Sequence, residues 1–245
     1  MVKILAYPLT IIYLIIFGLT LVIFHPIQWL CLNLFGYQAH KKSVDYLNWC
    51  LIRCLHVLGV RYQFENSHNI PTARPIIIVT NHQSMNDIPP IIWFMRKHHP
   101  KFISKKELGK GFPSVSFNLR HGGSVLIDRK DVLGSIKAIE EFAKRVQCNN
   151  WAAVIFPEGT RSRDGKPKPF KTKGLMTLIE NIPDGLVVPM SINNSWKTLK
   201  YGKFPMGLGA KITFKVHDPI EIGSHDPKDL INRTEQIIKE HLHAS

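Results

Sequence analysis

An uncharged apolar run is the feature that most limits what this chain can fold into. Residues 4–24 read ILAYPLTIIYLIIFGLTLVIF. About 20 consecutive apolar residues suffice for a helix to span a bilayer, so the run predicts a membrane anchor. A cleaved signal peptide would need a shorter apolar stretch and a small-x-small cleavage site, and none precedes Ala39. We therefore expect the run to be retained.

A second apolar stretch, residues 26–37, is too short for an ordinary span and contains Trp29, Phe35 and Tyr37. Aromatic side chains favour the depth of the lipid headgroups. Two arrangements stay open: the stretch lies in the interface, or it is the return arm of a shallow hairpin with both ends on the cytosolic side. The expected division is an anchor at residues 1–40 and one domain at residues 41–245 on the cytosolic side of the membrane.

The basic charge of the larger domain predicts anionic partners. Residues 41–245 carry 31 Lys and Arg against 18 Asp and Glu, a net charge of +13. Such a charge suits nucleic acid, a phospholipid surface or a phosphorylated substrate. The basic residues are dispersed and no nucleic-acid-reading motif is visible, so we expect no nucleic-acid partner. A mean hydropathy of −0.04 excludes a polytopic membrane protein.

The four cysteines predict free thiols in a reducing compartment. They form no CxxC pair, and the sequence has no Cys/His cluster with zinc spacing. We expect no metal.

Alternating strand and helix patterns predict an α/β fold with a largely parallel sheet flanked by helices. The expected strands are residues 62–65, 75–80, 102–104, 124–128, 152–156, 186–192 and 211–216. The expected helices are residues 43–58, 88–98, 131–147, 170–181 and 226 to about His243, with an irregular helical segment at 105–117.

The segment after the second expected strand, Asn81–Asp87, reads NHQSMND. Ligands and substrates of open α/β sheets bind at the carboxyl ends of strands. There, Asp87 can accept a hydrogen bond from one nitrogen of His82, which leaves the other nitrogen to remove a proton from a hydroxyl. The alternative is that Asp87 caps the following helix and that His82 is an ordinary loop residue.

Three further segments also lie at strand positions. Residues 156–162 read FPEGTRS, residues 122–129 read GGSVLIDR and residues 187–190 read VVPM. Arginine suits bidentate binding of a phosphate and glycine permits close backbone approach. The alternative for the first segment is a solvated charged turn.

Together, in this order, the four blocks resemble those of the glycerolipid acyltransferase family, which includes the 1-acyl-glycerol-3-phosphate acyltransferases. The resemblance spans about residues 75–192, and the expected anchor fits it. Two positions depart from the family pattern: Leu126 replaces an aromatic residue, and Met190 stands where small or β-branched residues are usual. Neither position touches the expected chemistry.

The resemblance implies a role for each residue of the blocks. His82 would be the general base and Asp87 would hold its tautomer. Acceptor phosphate would bind at Arg161 in the segment with Gly159 and Thr160, helped by Arg129 and Lys105. Glu158 would either orient Arg161 or shape the loop through backbone hydrogen bonds. Backbone N–H groups of residues 84–88 would stabilise the oxyanion. Ser84 is disfavoured as a nucleophile because no GxSxG elbow is present.

The implied reaction is acyl transfer from acyl-CoA or acyl-carrier protein to 1-acyl-glycerol-3-phosphate, making phosphatidic acid without a cofactor. Glycerol-3-phosphate or another lysophospholipid is the alternative acceptor. A more remote alternative is a non-enzymatic protein that binds anionic lipid, but this would leave His82 and Asp87 unexplained.

Overall fold

The computed structural model describes residues 2–242 and places strand β2 (Ile76–Thr80) in the interior of an eight-stranded sheet. Every side chain of β2 is buried, as expected for a strand covered on both faces. Successive side chains point to opposite faces of a sheet. Ile76 and Ile78 accordingly join one apolar cluster, whereas Ile77 and Val79 join the other. The sheet therefore separates two core layers.

The sheet is largely parallel, as predicted. Its remaining strands are β1 (Arg61–Glu65), β3 (Pro100–Lys105), β4 (Val125–Ile127), β5 (Ala152–Ile155), β6 (Leu186–Asn193), β7 (Lys211–Val216) and β8 (Ile220–Glu221). Their order is β1-β7-β6-β2-β5-β3-β4, and β8 pairs with β6. Among the strand pairs of residues 2–242, two are antiparallel, β6 with β7 and β6 with β8. The short strand β8 was not predicted, because two residues carry no periodicity.

Helices cover both faces of the sheet, which confirms the predicted α/β class. They are α1 (Val2–Cys54), α2 (Ile88–Phe94), α3 (Val115–His121), α4 (Val132–Asn149), α5 (Thr172–Asn181) and α6 (Pro227–Glu240). The predicted starts of α4 and α6 are confirmed, since the side chains of Asp131 and Asp226 accept backbone N–H groups at the N-caps. Helix α6 ends at Glu240, and the predicted end at His243 lies outside the described residues.

Helix α1 is a helical hairpin whose bend is at Gly36. Gly36 has φ 77° and ψ −170°, a conformation that glycine tolerates and L side chains rarely adopt. Leu21 of the first arm packs with Leu47 and Leu51 of the second, so the two arms run antiparallel. The expectation that residues 26–37 form the return arm of a hairpin was wrong, whereas their location in the membrane interface stays a prediction. Residues 26–35 continue the first arm, and the return arm is residues 37–54.

The first arm of α1 packs along the domain. Its buried stripe contains Ala6, Thr10, Tyr13 and Leu21 at helical spacing. Tyr13 belongs to the core cluster on one face of the sheet, and Thr10 Oγ1 accepts the N–H of Met206 at 3.0 Å. The anchor is thus attached by contacts as well as by the chain. The division at residues 40 and 41 falls inside α1 and stays a prediction.

The opposite face of α1 exposes a broad apolar surface. Exposed large apolar side chains on it include Ile4, Leu5, Ile15, Leu19 and Val22. Among residues 2–242, α1 with the turn that follows it is long and apolar enough to cross a membrane. This surface supports membrane association of the chain, whereas the side of the membrane stays a prediction.

We predict that Thr10→Val lowers the free energy of unfolding by about 1–3 kcal/mol, because the buried N–H of Met206 loses its acceptor. Thr20→Val is the matched control. Both threonines donate to the carbonyl four residues earlier, but within residues 2–242 Thr20 accepts no backbone N–H, and its other contact is Cys54 Sγ at 3.6 Å. The control should shift stability by about 0.5 kcal/mol or less. Denaturant titration in detergent micelles measures both, and equal losses would contradict the packing of the first arm on the domain.

Candidate active site

Two loops that carry sequence blocks and one further turn meet at one edge of the sheet. Strand β2 pairs in parallel with β5 on one side and with β6 on the other. The carboxyl ends of neighbouring parallel strands lie at the same edge, where ligands bind in open α/β sheets. The loop at Asn81–Asp87, the loop at Phe156–Ser162 and the turn at Ser195–Leu199 are therefore brought together.

His82 and Asp87 form a hydrogen-bonded pair. His82 Nδ1 lies 2.8 Å from Asp87 Oδ2. The same oxygen accepts the N–H groups of Gln83 and Ser84 at 2.8 and 2.9 Å. A carboxylate can only accept hydrogen bonds, so His82 donates through Nδ1 and its Nε2 is the nitrogen available as a base. Asp87 is completely buried, which holds this arrangement away from water.

The ring of His82 is also held from one face. It stacks on Phe156, with 4.0 Å between ring centroids and 23° between the planes. The side chain of His82 keeps 18% of its surface exposed, and Nε2 has no hydrogen-bond partner within residues 2–242. The free nitrogen therefore faces the side from which a substrate can approach.

Ser84 is a capping residue of this loop. Its Oγ accepts the N–H of Asn86 at 3.2 Å, and Asp87 bonds back to the N–H of Ser84. This reciprocal pattern is a capping box. Asp87 makes no side-chain cap on α2 itself, so the alternative of a helix-capping Asp87 is wrong. Ser84 is completely buried, and its Oγ also lies 3.3 Å from Thr198 Oγ1 in the turn at Ser195–Leu199.

Glu158 joins the two loops through backbone hydrogen bonds. Its Oε1 accepts the N–H of His82 at 3.1 Å, and its Oε2 accepts the N–H of Lys168 at 3.3 Å. The N–H of Ser162 in turn donates to the carbonyl of His82 at 2.7 Å. Burial raises the pKa of the Glu158 carboxyl to about 7. The sequence left two roles open for Glu158, orienting Arg161 or shaping the loop through backbone hydrogen bonds. The structure shows the backbone hydrogen bonds.

Of the remaining predicted site residues, some make hydrogen bonds within the protein and others do not. Arg129 donates to the carbonyl of Gly159, and Gly159 has φ 71°, so a glycine suits the position. Thr160 Oγ1 accepts from Lys168 Nζ at 2.9 Å. Arg161 and Lys105 are exposed, and their side chains have no hydrogen bond or ion pair in the described part of the chain. Their cationic groups are free to meet an anion.

Four polar residues that the sequence did not single out support the His82 loop. The side-chain amide of Asn81 exchanges two 2.8 Å hydrogen bonds with the backbone of Ile192. Gln83 Oε1 accepts the N–H of Ser195 at 2.9 Å. Asn86 Nδ2 donates to Thr198 Oγ1 at 3.1 Å. Asn81, Gln83 and Asn86 lie inside the NHQSMND block, but nothing in the sequence marks Thr198 as their partner.

The expected oxyanion donors need correction. The N–H groups of Ser84 and Asn86 donate to side chains within the loop, and that of Asp87 donates to the carbonyl of Ser84 at 3.3 Å. Three of the five backbone groups at residues 84–88 are thus already used. These three do not serve as free donors to a reacting oxygen.

Comparison with known proteins agrees with this geometry. The acyltransferase family model matches residues 61–193, more than half of the 245-residue chain. The chain belongs to the acyltransferase family. The match begins at β1 and ends with β6, so it includes the loops at Asn81–Asp87 and Phe156–Ser162 but not the turn at Ser195–Leu199.

Several named proteins are similar to this acyltransferase. One is 1-acyl-sn-glycerol-3-phosphate acyltransferase alpha of Ovis aries, 23% identical over 189 residues, which are 77% of this chain and 64% of the relative. Another is 1-acyl-sn-glycerol-3-phosphate acyltransferase of Helicobacter pylori, 37% identical over 125 residues, 49% of each chain. The chain thus spans less than two thirds of the sheep relative's length.

A solved structure extends the similarity to nearly the whole chain. The crystal structure of the 1-acyl-sn-glycerophosphate (LPA) acyltransferase PlsC of Thermotoga maritima superposes with a TM-score of 0.79 at 27% sequence identity. The superposition covers 99% of this chain and 96% of that one. The fold, including the long apolar α1, is therefore that of an acyltransferase.

We predict that Glu158→Gln destabilises the protein more at pH 5 than at pH 8. The folded-state pKa of Glu158 is raised from 4.5 to about 7. Its contribution to stability is therefore fully present below pH 4.5 and is lost as the pH rises through 7. A glutamine does not titrate, so the destabilisation should shrink by about 2 kcal/mol between pH 5 and pH 8. Denaturant titrations of both proteins at the two pH values measure this change, and equal destabilisation would contradict it.

Proposed function

We propose that this chain transfers a fatty acyl group from an acyl thioester to the free hydroxyl of 1-acyl-glycerol-3-phosphate. The hydrogen bond of 2.8 Å between His82 Nδ1 and Asp87 Oδ2 carries the proposal. It orients an imidazole whose other nitrogen is unpartnered and accessible, as a general base requires. The names of the relatives support the choice of acceptor.

In the proposed reaction the acceptor hydroxyl lies against His82 Nε2. As its oxygen attacks the thioester carbonyl, the proton passes to Nε2. Asp87 then faces an imidazolium, and its buried carboxylate stabilises the positive charge. Collapse of the tetrahedral intermediate releases the thiolate, to which His82 returns the proton. His82 and Asp87 therefore end the cycle in the protonation states in which they began it. Acyl-CoA or acyl-carrier protein supplies the thioester.

The acceptor phosphate would bind beside this pair at Arg161. The backbone of Ser162, the next residue, is bonded to His82, so Arg161 is held close to the base. Lys168 Nζ donates to the carbonyl of Arg161 at 2.9 Å, which adds a second cation to the loop. Arginine suits such a site because its guanidinium can bind phosphate oxygens in pairs.

We predict that His82→Ala and Asp87→Asn each lower kcat by about 10²–10⁴-fold, the usual contribution of a positioned base. Transfer of a labelled acyl chain to 1-acyl-glycerol-3-phosphate measures the loss in purified protein. His56→Ala is the control, because His56 is exposed and lies outside the loops of the site.

Ser84→Ala separates this route from one through a covalent acyl-serine. It should cost the cap and the hydrogen bond with Thr198 Oγ1, together about 1–3 kcal/mol of stability. Transfer should stay within about tenfold, a margin worth about 1.4 kcal/mol. Full activity of His82→Ala, or complete loss in a folded Ser84→Ala protein, would refute the general-base mechanism.

We predict that Arg161→Ala raises the KM for the acceptor at least about tenfold, because loss of a charge-assisted phosphate contact costs about 1.5–3 kcal/mol. Arg163→Ala is the matched control, since Arg163 is also an exposed arginine and lies two residues further along the chain. Steady-state kinetics with varied acceptor measures both. A fall in kcat alone for Arg161→Ala would mean that Arg161 does not bind the ground-state phosphate.

A further inference from the structure

The segment between β3 and α3, residues 106–114, carries exposed apolar side chains among lysines. We call it the β3–α3 loop. Leu108 is 40% exposed and Phe112 is 52% exposed. Lys106 and Lys110 are exposed as well. Exposed aromatic and aliphatic side chains beside lysines are typical of surfaces that contact a membrane interface.

The β3–α3 loop is held in place by hydrogen bonds from α3. Ser116 Oγ donates to the carbonyl of Leu108 at 2.9 Å and accepts the N–H of Phe112 at 3.0 Å. Arg120 donates to the carbonyl of Gly109. Leu108 and Phe112 are thus exposed in a loop that is itself well ordered by hydrogen bonds. The loop holds both side chains outward.

The end of the loop is attached to the first arm of α1. Ser114 Oγ donates to the carbonyl of Leu21 at 2.6 Å, and the N–H of Ser114 donates to His25 Nδ1 at 3.1 Å. Val22 and Ile23, next to this attachment, are each 56% exposed. Phe112 is two residues before Ser114, about 7 Å of extended chain. The apolar surface of α1 therefore continues onto the loop.

The contacts of α1 with the domain limit how deeply the apolar surface of α1 can enter a membrane. If residues 4–24 crossed the bilayer upright, Thr10 and Tyr13 would lie in the hydrocarbon together with the domain residues packed on them. Lys203 is exposed three residues before Met206, the partner of Thr10, and a charged side chain is costly there. The first arm must instead lie along the membrane surface. Its attachment point, Leu21, then brings the loop to the headgroups.

We propose that the β3–α3 loop is a second membrane-binding element, which inserts Leu108 and Phe112 into an anionic phospholipid bilayer. Lys106 and Lys110 would meet headgroup phosphates, since basic residues near such a surface are attracted to it. Lys106 also pairs with Asp128 at the end of β4. The candidate site lies at this edge of the sheet. The loop thus connects that edge with the lipid surface. This contact with lipid does not depend on the proposed reaction.

Spin labels on the full chain test the proposal. Single cysteines replace Leu108, Phe112, Val22 or Lys144 in a background in which the four native cysteines are replaced. The nitroxide-labelled proteins are reconstituted into vesicles of phosphatidylethanolamine and phosphatidylglycerol. Collision rates with oxygen and with a water-soluble nickel chelate report depth. Val22 is the lipid-facing reference on α1, and Lys144, exposed on α4, is the aqueous reference.

The ratio of oxygen to nickel collisions at positions 108 and 112 should be several times that at 144 and approach that at 22. A lipid-like ratio at 22 with a water-like ratio at 112 would overturn the proposal, since α1 would then be inserted and the loop would not. Lys110→Glu should shift position 112 toward water, whereas the control Lys137→Glu on α4 should not. An unchanged depth in Lys110→Glu, or an equal depth in phosphatidylcholine vesicles, would overturn the role of the lysines. No activity is read, so the result stands independently of acyl transfer.

Discussion

The buried carboxylate of Asp87 is the interaction on which the candidate site depends. One of its oxygens accepts hydrogen bonds from the ring of His82 and from two backbone N–H groups. A buried charge is costly unless it is paired and hydrogen-bonded, so the loop must close on itself in this way. That closure sets the tautomer of His82 and turns its free nitrogen outward. The same three hydrogen bonds therefore shape the loop and orient His82 for the role of base that we propose for it.

The closed loop is then fixed by its neighbours from two sides. Glu158 bonds to its backbone from the loop after β5, and Thr198 bonds to Asn86 from the turn after β6. These neighbours meet because β2 lies between β5 and β6 in parallel register. A general base must be held to a fraction of an ångström to be effective. The interior of the sheet provides that rigidity, while the cations of Arg161 and Lys105 stay exposed at its rim.

Helix α1 relates this site to a lipid surface. Its buried stripe packs on the domain and its opposite face is apolar and exposed. A helix whose contacts run along a folded domain cannot act as an independent upright span, because the domain would have to enter the bilayer with it. The hairpin bend at Gly36 is next to Tyr37, which contacts His99 and Trp151 at the starts of β3 and β5. The bend therefore lies toward the edge of the sheet opposite the candidate site.

The sequence by itself determined the α/β class, most strand and helix positions, the apolar anchor and the blocks that hold His82, Asp87 and Glu158. These features depend on local periodicity, caps and short motifs, which a single chain displays directly. Only the tertiary structure decided that α1 bends at Gly36, that Glu158 bonds to backbone and that Thr198 supports the loop. Each of these depends on which distant segments touch: Thr198 meets Asn86 across 112 residues. Local pattern contains no information about such partners, because parallel pairing of strands brings them together only in the folded sheet.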